Sequence, residues 1–425
     1  MNTKPILPSD RIIYLDILRG MAIFFIFIAN MYVFSGWAFL PDDIKNTMSG
    51  GGLNNIIKQL TVVLVDGKWY SIFSILFGIG FVIQYENITN KNQSFKLFFS
   101  KRMMGLLLFG LLHLFFLWVG DILTLYALLG FILILFRNHT QKQLLIWAAI
   151  LLLLPIIHLL LMMSLDFYYP QVLFDWYLSF LTDNNIQSHL VNGQYNKFAE
   201  ITAWLDGTSW KQLFTFNLGL PLLRLNGILL EGRIFKVLAC FLLGIWAGRK
   251  ILHNELLQNK MLLKKIVTYG FLLGIPMNIL LAYAKSQSGE TWQIINFTSY
   301  AFGVVPLACA YAASVAIIVS SGNLSLSKLA PVGQMAMSNY IFQTIVSILI
   351  YYGIGFGLAL DIALWQVILI TISIFAVQVL LSNYWLRKFR FGPLEWLWRM
   401  MTYQKYIRNR KLETITNIVK DVHSS

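Results

Sequence analysis

Residues 11–34 read RIIYLDILRGMAIFFIFIANMYVF. At about 1.5 Å of rise per residue, such a run is long enough to cross a bilayer as an α-helix. It nevertheless carries Asp16, Arg19 and Asn30. Positions i and i+3 are neighbours on a helix surface, so Asp16 and Arg19 share a face. Asn30 follows Arg19 by close to three turns, which returns it to the same face roughly 16 Å further along. One helix therefore presents a carboxylate, a guanidinium and an amide in a single polar stripe. A charge at the bilayer centre costs about 2.5–3.5 kcal/mol on the insertion scale, and less when paired. The stripe predicts a helix turned towards protein or a wet cavity.

The rest of the chain has the same character. Of its 425 residues 57% are hydrophobic and only 12% charged, with a mean hydropathy of +0.66. Soluble domains carry about 25% charged residues, so the composition is that of a polytopic membrane protein. The net charge of +14 does not point to a nucleic-acid partner, because the basic residues gather in short loops between apolar runs, as orientation signals do. Cys240 and Cys309 lie in apolar runs without a CxxC or Cys/His cluster and read as core. Asp16 and Arg19 interrupt what would be the apolar region of a signal peptide, so the first helix is expected to be retained.

Ten runs approach the length of a span: 12–34, 60–84, 103–119, 121–136, 144–164, 234–248, 266–284, 298–320, 335–353 and 363–386. With the N-terminus inside, Lys101, Arg102, Arg137, Lys142, Arg249, Lys250, Lys264, Arg387 and Lys388 fall on the cytoplasmic side. Asp42, Asp121, Asp175, Asp206, Glu290 and Asp361 fall on the other. An even number of spans with both termini cytoplasmic satisfies the positive-inside rule. The expected fold is all-α, a helical bundle of about ten transmembrane helices forming one integral membrane domain over 1–425. Segment 165–233, with the Pro221- and Arg224-broken run 214–230, is expected to cap the outer mouth as an interfacial or re-entrant piece. The tail from about 390 to 425 is expected to lie on the cytoplasmic surface, with Pro393 at a helix start and Glu395 and Arg399 at i,i+4.

The third run supplies the candidate chemistry. Arg102 stands at its cytoplasmic end, His113 follows on the same face, and Asp121 comes at the outer turn. An imidazole serves as acid or base near neutral pH, and a carboxylate can orient it. His113 and Asp121 are about 12 Å apart on a continuous helix and need not touch. In the ninth run Asn339, Gln343 and Ser347 fall at i, i+4 and i+8, with Ser338 beside them. Facing a cavity, Asn339, Gln343 and Ser338 would bind substrate; facing other helices, they would bond across the interface. Ser71, Ser74 and Gly78 form a small-residue face in the second run, and Gly244 and Gly248 a GxxxG pair in the sixth, both fitted to close helix packing. No Walker loop, HExxH, GxSxG or metal-ligand spacing occurs, so no metal is expected.

Several separated stretches together resemble the YeiB-like family of bacterial inner-membrane proteins, a group of unknown function. They are RIIYLDILRG (11–20) with Asn30, DGKWYSIFSILFG (66–78), GLLHLFFLWVGDILTLYALLG (110–130), LLGIWAGR (242–249), PVGQMAMSNYIFQT (331–344) and FGPLEWLWRMMTY (391–403). The LDxxRG opening is in turn distantly similar to transmembrane acyltransferases, such as heparan-α-glucosaminide N-acetyltransferase and the O-acyltransferases of bacterial surface polysaccharides. That resemblance implies acyl-CoA, such as acetyl-CoA, as cytoplasmic donor and an acceptor outside. The O-acyltransferases carry a histidine where this chain has Asn30, and asparagine cannot act as a base. The residues then divide as follows: Arg19 and Arg102, with Asp16 holding Arg19, for the donor's phosphates; Asn30 for the developing oxyanion; His113 and Asp121 for the proton. Two other classes fit the same stripe, a permease for a small solute and a non-catalytic scaffold with an acyltransferase-like fold. The expected partners are the bilayer, the donor and the acceptor; the sequence leaves self-association open, since packing faces and dimer faces look alike in it.

Overall fold

The computed structural model describes residues 12–186, 189–322 and 325–411. In hydrocarbon every backbone N–H and C=O must be satisfied within the chain, and apolar runs of this length do so as helices. The helices are α1 (Ile13–Phe34), α2 (Asp42–Thr47), α3 (Gly51–Leu64), α4 (Lys68–Thr89), α5 (Phe95–Phe116) and α6 (Leu123–Leu133). Next come α7 (Gln141–Ser164), α8 (Gln171–Asp183), α9 (Lys197–Leu205), α10 (Trp210–Leu230), α11 (Arg233–Leu252) and α12 (Lys260–Ala284). The last are α13 (Glu290–Ser320), α14 (Ala330–Gln334), α15 (Ala336–Tyr351), α16 (Leu364–Lys388) and α17 (Pro393–Tyr403). The strands β1 (Leu190–Val191) and β2 (Gln194–Tyr195) form one small antiparallel hairpin.

By length and composition eight stretches can cross a membrane, the unit Gly51–Thr89 counting once, and Leu123–Asn138 and Ala336–Tyr351 are shorter apolar helices. The chain is thus an all-α, multi-pass membrane protein. Its lipid-facing surface is plain from α12 and α16, where Met261, Leu272 and Leu380 are 70%, 69% and 72% exposed. Water would not tolerate such a belt, whereas lipid requires it. Each of the ten expected spans has a helix, but with differences. The run 60–84 is broken at Val65–Gly67, where Gly67 has a φ of 84°, so α3 and α4 are separate. The run 335–353 begins inside a break at Met335, between α14 and α15.

Contacts sort the loops into two ends. At the basic end Arg249 donates to the carbonyls of His139 and Arg137, and Lys101 to Gln404. At the far end Lys285 pairs with Asp66, Gly353 N–H reaches Leu205 O, and Leu360 N–H reaches Ser35 O. The far end carries α8, the hairpin and α9; α10, expected as an interfacial or re-entrant piece, is one of the eight stretches able to cross a membrane, whereas α11, over the expected span 234–248, is not. The run 214–230, read as broken, is part of one continuous helix through Pro221. It packs on α8, with Gly219 against Tyr177 and Phe180, and Asn217 reaches Leu117 O just beyond α5.

The core is tightest where α4 crosses α11. A Cβ on Gly78 would lie 2.1 Å from Phe241 O, and one on Gly244 would lie 2.2 Å from Ile75 O. The backbones therefore touch, as small-residue membrane interfaces allow. α11 has Arg233, Lys236, Arg249 and Lys250 near its ends, yet Val237, Ala239, Cys240, Phe241, Leu242 and Ile245 are fully buried.

At the basic end α17 is fastened to α15. The Glu395 carboxylate accepts from Met337 N–H (2.7 Å), Ser338 N–H (3.1 Å) and Ser338 Oγ (2.5 Å), so it caps the buried start of α15. Burial raises its carboxyl above the ordinary range, and these bonds pull it back. The expected tail region 412–425 lies outside the described residues. Glu395→Ala is expected to cost about 1–3 kcal/mol, a cap plus its charge-assisted bonds. Faster hydrogen exchange at Met337 and Ser338, with easier proteolysis after Lys388, would report it; unchanged exchange would contradict the capping role.

Candidate functional site

One cavity of about 1690 Å³ runs through the bundle between its two ends. Ligand pockets usually enclose about 300–1,000 Å³, so this one has room for a cofactor-sized molecule and a second reactant. Asp16, Arg19, Arg102, Trp398 and Arg399 line it at the basic end. Asn30, Phe73, Phe77, Tyr126 and Tyr340 line its middle, and Arg224, Glu231, Arg233 and Glu200 line the far half.

The basic mouth is built from α1, α5 and α17. Arg19 Nη1 donates to Asp16 Oδ1 at 2.8 Å, the pairing that their spacing predicts. The Arg102 guanidinium lies 3.7 Å over the Trp398 ring, whose Nε1 donates to Arg102 O at 2.8 Å. Arg19 and Arg399 are both close enough to act on Arg102 electrostatically. Three guanidiniums and Lys91 around one mouth outnumber its two carboxylates, Asp16 and Glu395, and leave an excess of positive charge. Arginines arranged in this way suit a multiply charged phosphate ligand. Asn30 lines the same cavity, and its amide has no hydrogen-bond partner among the described residues.

His113 and Asp121 do meet. α5 ends at Phe116, and the chain turns through Gly120 and brings Asp121 back against the imidazole, with Nδ1 3.0 Å from Oδ1. Nε2 lies 3.0 Å from Thr344 Oγ1. A carboxylate only accepts, so Nδ1 donates to Asp121, while the Thr344 hydroxyl is within reach of both Nε2 and Tyr340 O (3.3 Å). Asp121 also accepts from Leu123 N–H (3.2 Å) and Thr124 N–H (2.7 Å), which caps α6. The pair does not line the cavity; Gly120 and Tyr340 do, and the Tyr340 ring sits 4.9 Å from the imidazole.

The polar stripe of α15 turns to its neighbours. Asn339 donates to Val332 O and Ser382 Oγ, Gln343 to Gln378 Oε1, and Ser338 to Glu395. Of the two orientations that the sequence left open, the structure takes the helix–helix one, and none of the three residues lines the cavity. Sequence reasoning passed over Arg224, Glu231 and Arg233 as site residues, and Arg399 as part of the mouth. A charge inside an apolar run was the available signal for Arg224. Among the described residues no three His, Cys, Asp or Glu side chains group to hold a metal.

Residues 247–405 match the family described as protein of unknown function, DUF418. Over 418 residues the chain is 33% identical to the uncharacterized protein YxaH of Bacillus subtilis (strain 168), covering 95% of this chain and 96% of that one. It is 25% identical over 404 residues to an uncharacterized 39.9 kDa protein in the amylase 3′ region of Bacillus acidopullulyticus, covering 94% and 96%. It is 24% identical over 418 residues to the uncharacterized protein YeiB of Escherichia coli (strain K12), covering 92% and 96%. No solved structure matches the chain. End-to-end similarity to YxaH and YeiB, together with the match over residues 247–405, establishes that the chain belongs to the YeiB-like DUF418 family.

Proposed function

We infer that the protein is an acyltransferase of the bacterial cytoplasmic membrane, moving an acyl group from cytoplasmic acyl-CoA to an acceptor that enters from the other side. The observation that carries this reading is the long cavity, with three arginines at its basic mouth and, further in, the Asn30 amide that has no hydrogen-bond partner among the described residues. Acyl-CoA supplies a thioester and a set of phosphates. Arg19, Arg102 and Arg399 hold the phosphates, Asp16 keeps Arg19 in position, and Trp398 fixes the plane of Arg102. The Asn30 amide donates to the thioester oxygen as charge develops there, the place where a preorganised donor has most effect. An acceptor hydroxyl or amine attacks the carbonyl carbon, the C–S bond breaks, and the departing thiolate ends protonated.

The proton is assigned to His113, oriented by Asp121. For this role Tyr340 must swing aside and Thr344 must release Nε2. The end-to-end cavity also favours a second reading, a permease for a small anionic solute. Flux in proteoliposomes without acyl-CoA separates the two.

The primary test is binding and transfer of labelled acetyl-CoA by purified protein in detergent. Arg19→Ala and Arg102→Ala are each expected to weaken binding by about tenfold or more, the scale of one lost charge-assisted contact. Absence of binding across short and long acyl-CoAs, by a folded protein, overturns the reading.

A further inference from the structure

The far half of the cavity holds a charge that the acyl-transfer reading does not use. Arg224 sits on α10 between Leu223 and Leu225 and lines the cavity. Its Nε is fully buried without a hydrogen-bond acceptor, and its other nitrogens have none among the described residues. The charges that act on it are Arg233, Glu231 and Asp121. Neither carboxylate is paired with it. Glu231 accepts from Arg233 through Nε (2.9 Å) and Nη2 (2.5 Å), and Asp121 is committed to His113 and the start of α6. A guanidinium without a carboxylate partner inside a membrane bundle is costly, and a bundle that keeps one holds it for a ligand or a path.

The walls beside it are apolar. Leu220, Leu223 and Gly227 continue its face of α10, and Trp118, Trp204 and Tyr340 also line the cavity. We propose that Arg224 is an anion-binding subsite for the phosphate or carboxylate of an amphiphile whose apolar part lies against these walls, with the Arg233–Glu231 pair beside it. An arginine fork suits both groups, and a free anion would leave the apolar walls unused. The proposal goes beyond the acyl-transfer reading and does not depend on it. If both hold, this amphiphile is the acceptor's class.

The test uses full-length protein in a neutral maltoside detergent, with dihexanoyl phosphatidic acid, dihexanoyl phosphatidylcholine and inorganic phosphate as probes. Binding is followed through tryptophan fluorescence, since Trp118 and Trp204 line the cavity. Wild-type protein is expected to prefer the phosphatidic acid over both other probes. Arg224→Gln should weaken that binding by about tenfold or more, and Arg224→Lys should keep part of it. Arg224→Gln should melt no lower than wild type, because it removes an unpaired charge; a merely structural arginine would lower the melting temperature. Arg102→Gln, at the other end, should keep phosphatidic acid binding while losing acyl-CoA, so the two readings fail separately. Equal binding of phosphatidylcholine, binding of phosphate as tight as the lipid's, or Arg224→Gln binding like wild type each overturns the proposal.

Discussion

His113→Ala is expected to destabilise the folded bundle by about 3–5 kcal/mol, the cost of taking the hydrogen-bond partner from a buried carboxylate. The imidazole is 1% exposed and has both nitrogens engaged, by Asp121 and by Thr344. Its loss leaves the Asp121 carboxylate buried with only the amides of Leu123 and Thr124, and opens a void between α5 and α15. Thermal melting in detergent or a denaturant titration measures the effect. The double variant His113→Ala/Asp121→Ala should cost less than the sum of the single ones, since the stranded charge is gone as well. A change below about 1 kcal/mol would contradict the pairing. The same residue decides the mechanism. His113→Gln keeps bulk and a donor for Asp121 but cannot cycle a proton. If His113 is the base, the glutamine variant folds and loses transfer; if the pair only fastens α5 to α15, it folds and keeps it.

How much of this was legible follows residue by residue. Asp16, Arg19 and Asn30 sit on one helix, where a fixed 3.6-residue turn converts spacing into direction, and all three line the cavity as their stripe predicts. The His113–Asp121 contact needed the end of α5, and a turn at Gly120 leaves no periodic signal. The α15 stripe was visible, but not its orientation. The complementary signal was Gln378 and Ser382, four apart on α16, which receive Gln343 and Asn339. Pro221 misled because proline breaks helices in water, whereas neighbouring elements can resatisfy the backbone in a bundle. Glu395 read as a helix partner of Arg399 on a surface helix; that it caps α15 depends on a contact 57 residues away, beyond the reach of local pattern.

The second large effect is expected at the α4–α11 crossing, where the GxxxG match alone said little. Gly244→Val should cost at least about 3 kcal/mol, the upper range for overpacking, because the obstacle is backbone. A Cβ there meets Ile75 O at 2.2 Å and the Cα of Gly78 at 2.8 Å, and no rotamer moves either atom. The helices must separate, and separation strips contact from Phe77 and Phe241, stacked at 4.5 Å, and from the fully buried face of α11. Gly244→Ala should show part of the loss, and Gly248→Ala less, since its nearest neighbour is 3.1 Å away and includes a movable Val82 side chain within 3.3 Å. The order Gly244→Val, Gly244→Ala, Gly248→Ala in falling severity, read from melting in detergent, is the expected result, and equal melting across the three would contradict backbone contact. Function should follow packing here. Phe73, Leu76 and Phe77 on α4 and Arg233 on α11 are walls of the cavity, so a shift of one helix past the other reshapes both halves of the site. Gly244→Ala, folded but displaced, should therefore lose ligand binding more steeply than its melting temperature falls.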